Sequence, residues 1–150
     1  SNQIGLHGIS LGASTSIFAA FEEPEILAIW SDSPIAEFNM ALTDEIARYG
    51  LSIEFGPAVS LAGRVLTGID PTLLSPVLKL TKTQSYFFTH GDNDKRVLTR
   101  HFNYYKEYTL INNINAQFWL VKDSNHVDGM LKYPLEYADK MELFFNSNLN

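Results

Sequence analysis

Residues 4–21, which read IGLHGISLGASTSIFAAF, carry the pattern from which the fold of this chain can be predicted. A short apolar run at residues 4–10 is typical of a strand, and the small and apolar residues at 12–21 are typical of a helix. The junction carries the pattern G-x-S-x-G at residues 8–12. A sharp strand-to-helix turn would hold Ser10 in a strained conformation, with glycines on either side because larger side chains would clash there. An ordinary glycine-rich turn or a phosphate-binding loop is the alternative interpretation.

The rest of the chain alternates strand and helix patterns in the same way. Further strands are predicted at residues 25–32, 84–90 and 115–122, and further helices at 97–111 and 134–149. Strands separated by helices predict an α/β domain, a parallel sheet with flanking helices, that spans residues 1–150. Residues 35–83 break the alternation with two helical patterns, which indicates a helical lid inserted between two strands.

Composition excludes several classes of protein and of site. The 150 residues are 45% hydrophobic, enough for one folded domain, and carry a net charge of −6 without a basic cluster. A nucleic acid is therefore not an expected partner. The absence of cysteine excludes disulfides, thiolate zinc sites and a cysteine nucleophile. The apolar stretches fall short of the roughly 20 residues of a membrane span. We expect no metal and no organic cofactor.

A serine nucleophile needs a base, and the sequence offers four histidines. His7 lies in the strand before Ser10, too close in sequence to reach over it, and His101 lies within a helix as a surface or packing residue. His90 ends the third strand. His126 follows the fourth strand, at the carboxyl end where sites of open parallel sheets form. His126 is therefore the predicted base.

The base needs a carboxylate to orient it, and two aspartates follow the third strand. Asp92 and Asp94 both precede His126, which produces the chain order Ser, Asp, His. In the chymotrypsin and subtilisin arrangements, the serine, aspartate and histidine follow other orders along the chain.

Three patterns taken together resemble the α/β-hydrolase superfamily, especially its branch of prolyl-oligopeptidase-like peptidases and related esterases. They are G-x-S-x-G at residues 8–12, H-G-x-x-D-x-x-V at residues 90–97 and a histidine after the last strand. The resemblance implies the following catalytic residues: Ser10 as nucleophile, Asp94 as acid, His126 as base and the backbone N–H of Leu11 as an oxyanion donor.

The same resemblance distinguishes among the aspartates. The H-G-x-x-D pattern selects Asp94, and Asp92 is expected to cap the turn. Asp32 is an alternative acid because some members of the superfamily place the carboxylate after the preceding strand. We prefer the interpretation of Asp32 as a loop cap.

The resemblance covers only the C-terminal half of the family fold, strands five to eight, since the nucleophile follows the fifth strand there. The strand that begins at Ile4 and ends at Ser10 is expected at an open sheet edge, with which the missing N-terminal half or a second copy could pair. Two explanations stay open: a piece of a longer hydrolase, or a complete short protein that dimerises. The family's second oxyanion donor comes from a loop that is missing here, so the chain alone is expected to be impaired.

The resemblance thus implies a serine hydrolase that cleaves an ester or amide bond of a small-molecule acyl ester or peptide through an acyl-enzyme. The apolar lid favours an esterase, and its candidate pocket residues are Phe38, Met40, Leu42 and Phe55. For most of these, simple packing of the lid helices is the preferred interpretation. A serine peptidase and a non-catalytic binding protein with a hydrolase fold are the alternatives.

Overall fold

The computed structural model describes residues 3–70 and 73–149; residues 71 and 72 of the predicted lid lie outside the described residues. Within these ranges, four parallel strands form one sheet in the order β1-β2-β3-β4. The strands are β1 (Ile4–Ile9), β2 (Ile26–Asp32), β3 (Ser85–Gly91) and β4 (Ala116–Val121). Each strand lies where the sequence predicts it, to within one residue at either end.

Helices connect and flank the strands, as the alternating pattern predicts. They are α1 (Leu11–Glu22), α2 (Phe38–Arg48), α3 (Gly56–Thr67), α4 (Thr99–Asn112), α5 (Gly129–Lys132) and α6 (Pro134–Asn148). Short 3-10 helices lie at Ile53–Phe55 and Pro76–Lys79. The fold class is therefore the predicted α/β fold. The one-turn helix α5 was not anticipated, because four residues are too few to show a helical period.

The two faces of the sheet bury separate aromatic clusters. Side chains alternate along β3, so Tyr86 and Phe88 pack against α1 and α4 while Phe87 packs against α6. On the α6 face, Trp30 stacks on Phe87 with ring centroids 3.9 Å apart. Burial of these large rings on both faces fixes the register of the sheet and the height at which each strand ends.

Helix α6 packs on the sheet through part of its apolar surface. Leu135, Ala138, Met141 and Phe145 share one face of the helix, but Leu135 is 80% exposed and only Met141 and Phe145 pack against the aromatic cluster. Tyr137 and Phe144 are the buried residues. The Trp30 indole N–H donates to the Tyr137 hydroxyl at 2.9 Å, which turns the tyrosine inward.

Strand β1 lies at one end of the sheet. It pairs with β2, and no described strand lies along its other side. Ile9 near its end is 47% exposed.

No helix in the described ranges combines the length and apolar character needed to cross a membrane.

The segment between β2 and β3 leaves the sheet and returns to it. Helices α2 and α3 and the 3-10 helix Ile53–Phe55 pack on one another away from the strands. Near the end of the segment, Val77 is fully buried in the core cluster on the α1 face. This return to the core leaves α2 and α3 as the part of the segment that extends over the carboxyl ends of the strands.

Candidate functional site

Ser10 occupies the junction between β1 and α1 in a backbone conformation that residues other than glycine rarely adopt, with φ 54° and ψ −122°. Gly8 is required for this turn, because a Cβ there would lie 2.5 Å from the carbonyl oxygen of Gly12. The expectation that Gly12 also avoids a clash is wrong for the described residues. No atom lies within 4 Å of a Cβ at Gly12, since nothing packs on that side of the first turn of α1.

His126 links Ser10 to Asp94. Its Nε2 lies 2.9 Å from the Ser10 hydroxyl oxygen, and its Nδ1 lies 2.7 Å from Oδ2 of Asp94. When Nδ1–H donates to the carboxylate, Nε2 is left as the acceptor for the Ser10 hydroxyl. The structure therefore brings together the three side chains that the sequence singles out, from loops more than 30 residues apart.

The carboxylate of Asp94 is buried and strongly hydrogen-bonded. Its Oδ1 accepts the backbone N–H groups of Arg96 and Val97 at 2.8 and 2.9 Å. Burial alone would raise the pKa of Asp94, but the hydrogen bonds from His126 and from these two N–H groups outweigh it, and the pKa is lowered. Asp94 is thus an anion at neutral pH, with a fixed orientation toward His126.

Gly91 allows the Asp94 and His126 loops to touch, a role that the sequence analysis did not assign. A Cβ at Gly91 would lie 2.3 Å from the carbonyl oxygen of Asn125 and 2.4 Å from that of Ser124. The Asp92 carboxylate also joins the two loops by accepting the Ser124 N–H at 3.1 Å. Gly91 was visible in the sequence as the glycine of H-G-x-x-D, but the loop that it contacts could not be identified from the sequence.

The other candidate acid, Asp32, bonds to a different set of groups. Its carboxylate accepts hydrogen bonds from the Tyr137 and Ser33 hydroxyls at 2.9 and 3.0 Å. Burial raises the pKa of Asp32 despite these hydrogen bonds. The structure places this carboxylate on the α6 face of the sheet, bonded to these hydroxyls and not to His126.

The remaining histidines lie near the site, and Nε2 of His90 lies 3.5 Å from Oδ2 of Asp94. His90 is buried, and its Nε2 lies 2.8 Å from the Val97 carbonyl oxygen, to which it donates. Burial lowers the pKa of His90, so the ring is neutral. His7 lies on β1 with Nε2 3.4 Å from the Tyr137 hydroxyl. His101 is a buried residue of α4, in line with the packing role expected of it.

A cavity of about 470 Å³ opens beside Ser10, between the sheet and helices α2 and α3. Its apolar lining comes from both layers: Leu11, Ile35, Phe38, Ala41, Leu42, Val59 and Val97. Of the candidate pocket residues, Phe38 and Leu42 line this cavity, whereas Met40 and Phe55 do not. The arrangement places the Ser10 hydroxyl, beside Nε2 of His126, at the wall of a mainly apolar space.

Two further features bear on the chemistry that the site could perform. Leu11 is the first residue of α1, so its backbone N–H has no acceptor within the helix and lies at the positive end of the helix dipole. Among the residues that the structure describes, no group of three or more histidine, aspartate or glutamate side chains could hold a metal ion.

Comparison with known proteins identifies the fold. No protein-family model matches the sequence, and no curated protein matches it. The chain is similar in structure to the Pyrococcus furiosus esterase Pf2001, with a TM-score of 0.72 and 20% identity, over 100% of this chain and 55% of the esterase. It is also similar to an acylaminoacyl peptidase of Pyrococcus horikoshii, with a TM-score of 0.76 and 17% identity, over 99% of this chain and 24% of that one.

A puromycin-hydrolyzing peptidase of Mycobacterium tuberculosis has the same fold, with a TM-score of 0.76 and 13% identity, over 97% of this chain and 22% of that one. The chain therefore has the fold of the C-terminal half of an α/β-hydrolase, as its motifs predict. It spans about half the length of the esterase and about a quarter of the peptidases. Its structural neighbours are hydrolases of esterase and peptidase type.

Proposed function

We propose that this chain carries the catalytic residues of a serine hydrolase, with carboxylesterase-like activity favoured. The observation that carries the proposal is the continuous chain of hydrogen bonds from Ser10 through His126 to Asp94, at 2.9 and 2.7 Å. The strained turn at Ser10 supports it, because that conformation is costly and is typical of a nucleophile elbow.

In the proposed mechanism, Ser10 attacks the acyl carbonyl carbon while its proton passes to Nε2 of His126. Asp94 keeps the imidazole in the required tautomer and stabilises the imidazolium. The carbonyl oxygen becomes an oxyanion that accepts the Leu11 N–H, and His126 returns the proton to the leaving alcohol or amine. Water, deprotonated by His126, then cleaves the acyl-enzyme and restores the Ser10 hydroxyl.

The cavity beside Ser10 is the reason to favour an ester with an apolar acyl group. Its lining is mostly apolar, with Ser10, Glu45, Arg96 and His101 as the charged or polar side chains. An amide substrate would use the same residues, so a peptidase of the prolyl-oligopeptidase-like branch is the second candidate. A binding protein without catalysis would leave the costly Ser10 conformation unexplained.

Labelling of Ser10 tests the proposal more sensitively than turnover does. Leu11 is the one oxyanion donor proposed in this chain, and the absence of a second donor would lower kcat by roughly 10²–10³. Slow turnover could therefore escape detection even where Ser10 is activated. A fluorophosphonate probe requires only an activated serine, and intact mass counts the adducts. We expect one adduct on the unmodified chain, none on Ser10→Ala and one on Ser147→Ala, a control serine in α6 whose hydroxyl bonds to the Leu143 carbonyl.

Hydrolysis of p-nitrophenyl esters and of peptide p-nitroanilides then separates the esterase from the peptidase. A folded chain that takes up no probe would refute the serine hydrolase. An adduct that persists in Ser10→Ala would show that another residue is the nucleophile.

A further inference from the structure

A polar cluster of Asp44, Arg100 and His101 joins α2 to α4, outside the proposed catalytic residues; its His101 is buried, whereas its Arg100 side chain is 45% exposed. In α2, Asp44 accepts hydrogen bonds from Nε2 of His101 at 3.2 Å and from Nε of Arg100 at 3.1 Å. Arg100 also forms an ion pair with the other carboxylate oxygen and donates to the Met40 carbonyl at 3.0 Å. Two neighbouring residues of α4 therefore bind the same lid helix at two positions.

His101 binds the lid with both of its ring nitrogens. Its Nδ1 accepts the backbone N–H of Ala36 at 3.0 Å, so the ring proton must be on Nε2, which faces Asp44. The side chain is 1% exposed, and burial lowers the pKa of His101 to about 4. The ring is therefore neutral, and it joins the residues that precede α2 to the middle of that helix.

Other bonds fix the chain just before α2 but leave α3 without comparable anchors. The Tyr105 hydroxyl donates to the Ile35 carbonyl at 2.8 Å, and the Tyr104 hydroxyl donates to Glu37 at 3.2 Å. By contrast, α3 has no buried residue and packs on α2 and on the 3-10 helix Ile53–Phe55. Helix α2 is thus the firmly held part of the lid.

The held helix is a wall of the cavity beside Ser10. Phe38, Ala41 and Leu42 recur at helical spacing and face the cavity, and His101 lines the same space. A displacement of α2 relative to α4 would therefore change the depth and width of the space that an acyl chain occupies.

We propose that His101 and Arg100, acting through Asp44, hold α2 as a fixed wall of the acyl pocket and so determine the chain length that the pocket selects. This proposal rests on the proposed function for its acyl ligand. His101, Arg100 and Asp44 are positioning residues, because they act through α2 and not on the reacting atoms.

Asp44→Ala, which removes the acceptor of both His101 and Arg100, is the principal test. Asp44→Asn is the milder variant, since it keeps an acceptor for His101 but loses the charge that pairs with Arg100. Asp139→Ala, an exposed position in α6, is the matched control. In each protein we would measure hydrogen exchange of the α2 amides and the affinity for straight-chain methyl ketones of four to twelve carbons, which bind without reacting to products.

In Asp44→Ala we expect the α2 amides to exchange about tenfold faster or more, with the strand amides unchanged. We expect the ratio of affinities for the longest and shortest ketones to change by about fivefold or more, since each methylene in a fitted pocket contributes to selectivity. For Asp44→Asn, the exchange rate of the α2 amides and the ratio of ketone affinities should lie between the values of Asp44→Ala and those of the control.

Unchanged exchange in α2 would overturn the proposal, as would faster exchange with an unchanged affinity profile. Fluorophosphonate labelling of Ser10 in the same proteins is a separate measurement. An unlabelled Ser10 beside an altered ketone profile would refute the hydrolase but support the role of Asp44.

Discussion

The substitution Gly91→Ala is expected to displace His126 although it changes no polar group. Residue 91 ends β3, and the new methyl would lie 2.3 Å from the carbonyl oxygen of Asn125 and 2.4 Å from that of Ser124. Both oxygens belong to the backbone, so no side-chain rotation relieves the contact. His126 follows Asn125 directly and must move with it.

The size of the displacement follows from these distances. Real Cβ atoms essentially never lie closer than 3.0 Å to such atoms, so the Asn125 carbonyl must retreat by at least about 0.7 Å. If His126 moves equally, its 2.9 Å contact with Ser10 lengthens to about 3.6 Å, which is outside the range of a hydrogen bond. Because misplacement by 1 Å can cost 10²-fold, we expect the reactivity of Ser10 to fall by about 10- to 100-fold.

The assay is the second-order rate of fluorophosphonate labelling, measured on protein that circular dichroism shows to be folded. The overpacked contact should also lower the free energy of unfolding by about 1–3 kcal/mol. Gly56→Ala is the matched control, since residue 56 has helical angles of φ −50° and ψ −50° and no atom lies within 4 Å of its Cβ. Labelling of folded Gly91→Ala at the rate of the unmodified chain would refute this reasoning.

Three other outcomes follow from the site and the core. Asp94→Asn should lower the rate of Ser10 labelling by about 10³–10⁴-fold. Asp92→Asn, which keeps an oxygen to accept the Ser124 N–H, should lower that rate less than tenfold. Equal losses in the two variants would contradict the assignment of Asp94 as the acid. Because the folded pKa of Asp94 is lowered, its contribution to stability is present above about pH 4 and is lost as pH falls through that lower pKa. Urea titrations below about pH 4 should therefore show a steeper loss for the unmodified chain than for Asp94→Asn, and parallel curves would exclude this contribution. Trp30→Phe removes the buried N–H that donates to Tyr137 and should lower the free energy of unfolding by about 2 kcal/mol. An unchanged urea midpoint would show that this bond does not contribute to stability.

The order of the elements and the candidate residues could be predicted from the sequence. Strand and helix periods are local properties, so β1 and α1 and the turn between them could be predicted from a few neighbouring residues. Ser10, Asp94 and His126 each follow a predicted strand, and the carboxyl ends of parallel strands meet at one edge of a sheet. That geometric rule predicts Ser10 and His126 at the same edge, while the selection of Asp94 from the aspartates nearby came from the family resemblance of H-G-x-x-D.

The fit of these loops and helices against one another could not be predicted, because it depends on contacts between distant segments. The need for glycine at residue 91 depends on the backbone of residues 124 and 125, and the freedom at Gly12 depends on what packs beside α1. The inward position of Tyr137 on α6 involves a hydrogen bond with Trp30, 107 residues away. Such contacts join segments whose separation has no local signature, because they arise when the sheet brings distant loops and helices to the same place.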